Sequence, residues 1–299
     1  MKIIIAGGTG FLGENLENYF SKKGNEVYIL TRNPKRQNQI YWDAKTLGEW
    51  KNTLENAAVL INLTGKSVDC RYNEKNKQEI YSSRIDSTKV LQQAVDQSIN
   101  KPKLWMNASS ATIYVHSEKH LNTEENGIIG DDFSMNICKS WEAEFFKSEN
   151  GNVRKVALRT SIVLGKNGGA FPKLKMITKL GLGGKQGRGN QYVSWIHIGD
   201  FCKVVEWIIQ NEDISGAVNV RAPNPLSNEE LMKKIRRQLK IPFGLNSPVW
   251  QLELASLFLG TETELLLKSR NVYPERLIKS GFQFSYLNLN EALYNLFEY

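Results

Sequence analysis

Apolar positions along this chain come in two rhythms that take turns. Ile3–Ala6 is an unbroken apolar run, Phe11, Leu12, Leu16, Tyr19 and Phe20 then recur at helical spacing, and beyond Gly24 the segment Val27–Leu30 is apolar throughout. Such runs predict strand, helix and strand within about thirty residues. The alternation continues through a strand at Ala58–Asn62, a helix from Asn73 to Gln97, a strand at Leu104–Ala108, a helix from Ser134 to Ser148 and a strand at Val153–Val163. This order predicts an α/β protein with a parallel, doubly wound sheet. Ligands of such sheets bind beyond the carboxyl ends of the strands. That rule singles out Gly7–Gly13, Thr31–Arg32, Leu63–Gly65, Ser109–Thr112 and Ser161–Gly165.

After Gly165 the rhythm breaks into a glycine-rich loop at Gly181–Gly189, followed by a strand-like Tyr192–Ile198. Asp200 is placed to cap the next helix, which carries Phe201, Val204, Val205, Trp207 and Ile208, and Val218–Val220 reads as a last sheet strand. From Leu226 onward the segment is helical without further alternation and predicts a smaller C-terminal cap lobe. The expected division is residues 1–225 as the doubly wound domain and 226–299 as a cap module, with loop 166–194 contributing to the side the cap faces.

Composition narrows the partners. The 299 residues are 41% hydrophobic, and no apolar run approaches the roughly 20 residues that span a bilayer. The chain enters its first strand at once rather than presenting a signal peptide, so the expectation is a cytoplasmic protein without a membrane partner. Cys70, Cys138 and Cys202 are widely spaced, which predicts neither a disulfide framework nor a metal site. A net charge of +8 raises the question of nucleic acid. The densest basic run, Lys233, Lys234, Arg236, Arg237 and Lys240, surrounds Leu231, Ile235 and Leu239 on one helical face, behind a capping box at Ser227–Glu230. It reads as a solvated helix face and lacks the interleaved aromatics of single-strand binders. No nucleic-acid partner is expected; an anionic small molecule would use the same positive field.

Candidate chemistry begins at Gly7, Gly10 and Gly13. Spaced three apart behind a strand, they allow the tight turn, the approach of backbone to a pyrophosphate and the packing of helix on strand. Free amides at the helix start face the anion. At the end of the second strand, where an NAD-selective site carries Asp or Glu, this chain has Thr31 and Arg32, with Lys35 and Arg36 beyond. A cation suits a 2′-phosphate, so NADP(H) is the expected cofactor. The alternative for Arg32 is a solvated loop charge.

Together these residues resemble the extended, or atypical, short-chain dehydrogenase/reductase superfamily. The glycine turn, the Asn62–Gly65 turn, the run from Ala108 to Tyr114 and the Trp195–Asp200 segment match its layout. More narrowly the chain is similar to the epimerase-family proteins, in Ser83-Arg84 with Thr88, Gly130–Phe133, Cys138 with Trp141-Glu142, Gly181–Gly184 and Ser194–Ile198. Leu265–Ser269, Val272–Pro274 and Gly281-Phe282 match their C-terminal module. The resemblance implies a Rossmann-type core with NADP(H) held by Gly7, Thr9, Gly10, Phe11, Leu12, Gly13, Thr31, Arg32, Leu63, Thr64, Gly65, Glu79, Arg84, Ser109 and Ile162. The alternative for Glu79 and Arg84 is an exposed helical charge pair. A homodimer is compatible with the family pattern.

One departure stands at the active site. The superfamily's proton transfer uses a Tyr with a Lys four residues later, and here those positions hold Cys138 and Glu142. A carboxylate beside a thiol disfavours the thiolate and cannot pair with a tyrosinate. Ser109, Ser110 and Thr112 retain the hydroxyls expected after the strand, which leaves Ser110 and Tyr114 as the catalytic candidates. Tyr114 would be the proton donor, and a packed aromatic is its alternative. His197 reads as a structural, hydrogen-bonded histidine. Lys185 and Arg188 either hold substrate phosphate or ride on a flap. Two functions follow: an NADP(H)-dependent oxidoreductase or epimerase on a small carbonyl or nucleotide-sugar substrate, or a non-catalytic NADPH-binding regulatory or redox-sensing protein.

Overall fold

A computed structural model describes residues 1–148, 151–259, 262–263 and 267–298. The opening apolar runs form β1 (Lys2–Ala6), α1 (Phe11–Ser21) and β2 (Glu26–Thr31), followed by a short β3 (Gln39–Tyr41). Then come β4 (Val59–Asn62), α2 (Glu74–Gln97), β5 (Leu104–Ser110), α3 (Phe133–Phe146) and β6 (Arg154–Thr160). The main sheet is completed by β11 (Gly216–Val220) in the order β3-β2-β1-β4-β5-β6-β11, parallel throughout. The strand order reverses between β1 and β4, so the glycine turn leaves the sheet where a crevice opens.

Both faces of the sheet are covered, which is why its strands are apolar on both sides. Ile3, Ile5, Ile29, Ile61, Met106 and Val156 pack with Leu16 and Phe20 of α1. Ile4, Leu30, Leu60 and Trp105 pack on the other face with Leu91 and Val95 of α2 and Phe145 of α3. Asn73 caps α2 and Asp132 caps α3 by accepting the amides of Asn76 and Met135.

Two expected elements are reshaped. The apolar run Val153–Val163 is not one strand, because Ser161 N bonds Val220 O while Ile162 N turns to Ser194 O. The chain thereby leaves the main sheet as β7 (Ile162–Gly165), which pairs with β8 (Gly168–Gly169) and with β10 (Trp195–His197). Tyr192–Ile198 is likewise split, its first part β9 (Tyr192–Val193) pairing with β12 (Leu226–Ser227). Asp200 does not cap the helix α5 (Ile198–Gln210). His197 does, its Nδ1 accepting Gly199 N at 3.0 Å, while the Asp200 carboxylate accepts the amides of Ser285 and Tyr286, each at 3.0 Å.

A third core joins α4 (Phe171–Ile177), α6 (Asn228–Gln238) and the helix Leu289–Phe297 through Phe171, Leu174, Val193, Leu231, Ile235 and Leu293. The α6 capping box of Ser227 and Glu230 is present, and Lys233, Arg237 and Lys240 lie on the solvent face. The segment after residue 226 is not confined to this lobe, because Leu277, Phe282 and Phe284 return to the main sheet and pack in the α1/α5 core. No described helix is long and apolar enough to cross a membrane.

Candidate active site

The glycine turn has the geometry of a phosphate cradle. Gly7 takes φ +71°, and a Cβ there would stand 2.8 Å from Thr64 Oγ1. At Gly13 a Cβ would come within 2.3 Å of the Gly8 carbonyl oxygen, so only glycine lets α1 sit this close to the turn. At Gly10, by contrast, no heavy atom lies within 4 Å of the Cβ position. Gly10 is the N-cap of α1 and offers no side chain to the helix amides, which therefore face the open side. Thr64 Oγ1, beside Gly7, is buried without a hydrogen-bond partner. An open face, free amides and an unsatisfied buried hydroxyl together fit a dinucleotide pyrophosphate.

Beyond β2 a cleft of about 560 Å³ is lined by Thr9, Glu14, Glu17, Asn18, Thr31, Asn33, Lys35, Arg36 and Gln39. Thr9 and Thr31 line it, whereas Arg32 is exposed and is not among the lining residues. Arg36 is tied to Glu17 at 2.7 Å, and Asn38 donates to the other Glu17 oxygen at 2.8 Å. Glu17 is thus neutralised, and Lys35 and Arg32 are left as cations with no side-chain partner among the described residues.

The turn after β4 is shaped by two buried amides. Asn62 donates to Asn107 Oδ1 at 2.7 Å and accepts the Thr64 amide at 3.0 Å. Leu63 and Thr64 are thereby fixed beside the glycine turn. Arg84 lies along this turn with Nη1 donating to the carbonyls of Lys66 and Ile80, its guanidinium 5.0 Å from the Trp141 ring centre. A Cβ on Gly65 would come within 3.1 Å of that guanidinium. Burial lowers the Arg84 pKa. Glu79 does not pair with Arg84; it forms an ion pair with Lys66, which draws its carboxyl below the usual range.

Cys138 and Glu142 lie one turn apart on α3. Cys138 is buried, and burial pushes its thiol up to about 12, with Glu142 adding to the rise and Arg84, Arg270 and Arg159 opposing it. Glu142 accepts two bonds from Arg159, Nε to Oε1 at 2.9 Å and Nη2 to Oε2 at 2.7 Å. Ser109 Oγ donates to the same carboxylate at 2.5 Å. Arg159, Asn62 and Asn107 were not singled out from the sequence as site residues. A signal existed for Arg159: an arginine inside an apolar strand needs a buried partner.

Ser110 Oγ lies 2.9 Å from Thr112 Oγ1, with both residues partly exposed at the end of β5. Tyr114 is fully buried: its hydroxyl donates to Asn219 Oδ1 at 2.9 Å and accepts Arg159 Nη1 at 2.8 Å. The packed-aromatic alternative describes this position, and the expected proton donor is enclosed behind the Arg159–Glu142 pair. Burial raises its pKa. Ile162 is 37% exposed where β7 leaves the sheet. The loop carrying Lys185 and Arg188 is fastened by buried amides, with Gln186 N donating to Asn228 Oδ1 and Gln191 Nε2 to Gln186 O, each at 2.8 Å. Leu265 and Leu266 of the C-terminal motif lie outside the described residues.

The model of the NAD dependent epimerase/dehydratase family matches residues 3–220, and a domain of unknown function (DUF1731) matches residues 247–296. The epimerase family protein YfhF of Bacillus subtilis is 36% identical over 301 residues, covering 99% of this chain and 98% of that protein. The crystal structure of human epimerase family protein SDR39U1 with NADPH superimposes with a TM-score of 0.90 at 29% identity, covering 99% of each chain. A nucleoside-diphosphate sugar epimerase of Corynebacterium glutamicum gives a TM-score of 0.80 at 28% identity, covering 98% of this chain and 57% of that one. On the breadth of the family match and the identity to YfhF along nearly its whole length, this chain belongs to the NAD-dependent epimerase/dehydratase family.

Proposed function

We propose that this chain binds NADP(H) and acts as an oxidoreductase or epimerase on a small carbonyl or nucleotide-sugar substrate. The observation that carries the reading is the open Cβ face of Gly10 at the uncapped start of α1, with the unpartnered Thr64 hydroxyl beside Gly7. Similarity to a human protein crystallised with NADPH supports it. Gly7, Thr9, Gly10, Phe11, Leu12 and Gly13 hold the pyrophosphate side. Arg32 and Lys35, the cations beside Thr31, take the 2′-phosphate. Leu63, Thr64, Gly65, Arg84 and Ile162 line the remaining path, with Glu79 fixing Lys66 above it. Ser109 lies at the nicotinamide end.

When bound, the nicotinamide supplies hydride transfer. The protein's own residues orient the substrate and handle its proton. Ser110 and Thr112 share one hydrogen bond between two hydroxyls, so one O–H remains to hold a substrate oxygen. Loop 166–194 is the substrate side of this reading. A second reading, an NADPH-binding protein without turnover, is favoured by the buried Cys138 thiol in place of the relay tyrosine.

Calorimetric titration of NADPH and NADH separates the parts. NADPH is expected to bind more tightly, and the Arg32→Ala/Lys35→Ala double variant is expected to lose about tenfold in NADPH affinity, about 1.4 kcal/mol, with NADH unchanged. An unchanged preference overturns the 2′-phosphate assignment, and binding of neither nucleotide overturns the cofactor reading. Tight binding with no turnover on aldehydes, ketones or nucleotide sugars decides for the second reading.

A further inference from the structure

The polar group standing in place of the Tyr/Lys pair has a direction. A serine carries one O–H. In Ser109 it points inward to Glu142 at 2.5 Å, so the oxygen lone pairs are what Ser109 has left for a ligand. Glu142 is gripped by the Arg159 fork, and Arg159 is itself fixed by Tyr114, which donates on to Asn219. Ser109 and Glu142 are 6% and 8% exposed at the carboxyl edge of β5, beside Ser110. The hydroxyl is therefore set to receive a proton from outside while passing its own to the carboxylate.

We propose that Ser109 and Glu142 form the proton acceptor of this site, replacing the missing relay. Ser109 is the catalytic residue that touches the substrate hydroxyl, and Glu142, held by Arg159, is the positioning residue behind it. The inference rests on the hydride-transfer reading. In the oxidising direction the O–H bond of an alcohol substrate breaks and its proton passes to Ser109 Oγ as the Ser109 proton passes to Glu142 Oε1. The substrate carbon gives its hydride to NADP⁺, the oxidant, and a carbonyl forms. The substrate loses two electrons, NADP⁺ gains them, and Glu142 ends neutral; reduction retraces the path.

The charge arrangement favours the starting state. Burial opposes the charge on Arg159, but its hydrogen bonds to Glu142 outweigh that cost and hold the guanidinium pKa above its ordinary value. The fork holds Glu142 Oε1 where Ser109 donates to it. Tyr114 offers no competing route, since its own proton is committed to Asn219.

The test follows NADP⁺ reduction by the full-length chain on primary alcohols, secondary alcohols and nucleotide sugars, with NADP⁺ affinity measured separately by fluorescence quenching. Glu142→Gln preserves side-chain shape, and Ser109→Ala leaves the Glu142–Arg159 pair intact. Each is expected to lower kcat about 100-fold or more, Glu142→Gln with NADP⁺ affinity unchanged, and formate is expected to restore turnover to Glu142→Ala. If Glu142→Gln does not fold, Ser109→Ala decides alone. Turnover by Ser109→Ala within about threefold of wild type overturns the inference and leaves the hydride-transfer reading standing. A wild-type chain that binds NADP⁺ and oxidises nothing on the panel overturns both.

Discussion

Replacing Arg159 by Met tests whether the buried pair holds the site together. The change removes both donors from Glu142 and one from Tyr114, and strands a carboxylate where the two side chains are only 11% and 10% exposed. Solvent screens little there, and breaking a buried pair from one side costs about 3–5 kcal/mol. An unfolding entropy of about 2.1 cal/mol/K per residue over 299 residues is roughly 0.6 kcal/mol/K, so the melting temperature should fall by about 5–8 °C. Arg159→Met/Glu142→Leu removes both charges and should recover most of that loss, because an apolar pair of similar volume substitutes for a buried ion pair at little cost. Scanning calorimetry of wild type, both single variants and the double variant closes the cycle. A single variant that melts within about 2 °C of wild type, or a double variant whose loss equals the sum of the singles, would refute the coupling.

Gly13→Ala should destabilise the fold and abolish NADPH binding, since its Cβ meets the Gly8 carbonyl oxygen at 2.3 Å, whereas Gly10→Ala should melt like wild type and still bind NADPH poorly; equal melting temperatures for the two variants contradict this. Burial holds the His197 imidazole down at about 4, below its unfolded value near 6.5. The unfolded chain therefore binds the extra proton first, and stability should decline as pH falls from 6.5 to 4, by roughly 3 kcal/mol in all. His197→Asn, which keeps a capping acceptor, should flatten that part of the urea-midpoint profile. Burial pushes Cys138 and Cys202 up to about 12, while Cys70 is partly exposed. Iodoacetamide at mildly alkaline pH should therefore label Cys70 alone in the native protein, and mass spectrometry finding native Cys138 modified would contradict its placement.

Much of the fold was legible because its cause is local. The β1–α1–β2 opening, the capping box at Ser227 and the amphipathic α6 follow from side chains a few residues apart, and the structure contains each of them. Misreadings arose where a residue's partner was distant. Asp200 stands where a cap is expected, yet its carboxylate is claimed by backbone amides at Ser285 and Tyr286, and His197 caps instead. The strand expected at Val153–Val163 breaks at Ser161 because Ser194 and Val220 draw consecutive amides to different sheets. Local pattern does not report such competition.

The sequence by itself determined a doubly wound α/β core with a glycine turn at the carboxyl end of its first strand, since strand, helix and turn preferences are written into neighbouring residues. Only the tertiary structure decided which side chains gather around Glu142. Ser109, Glu142 and Arg159 come from two strands and a helix, 33 and 17 residues apart along the chain, and meet on one carboxylate. A buried charge is tolerated only where the fold delivers its partner, and that delivery depends on sheet order and helix packing rather than on any run of neighbours.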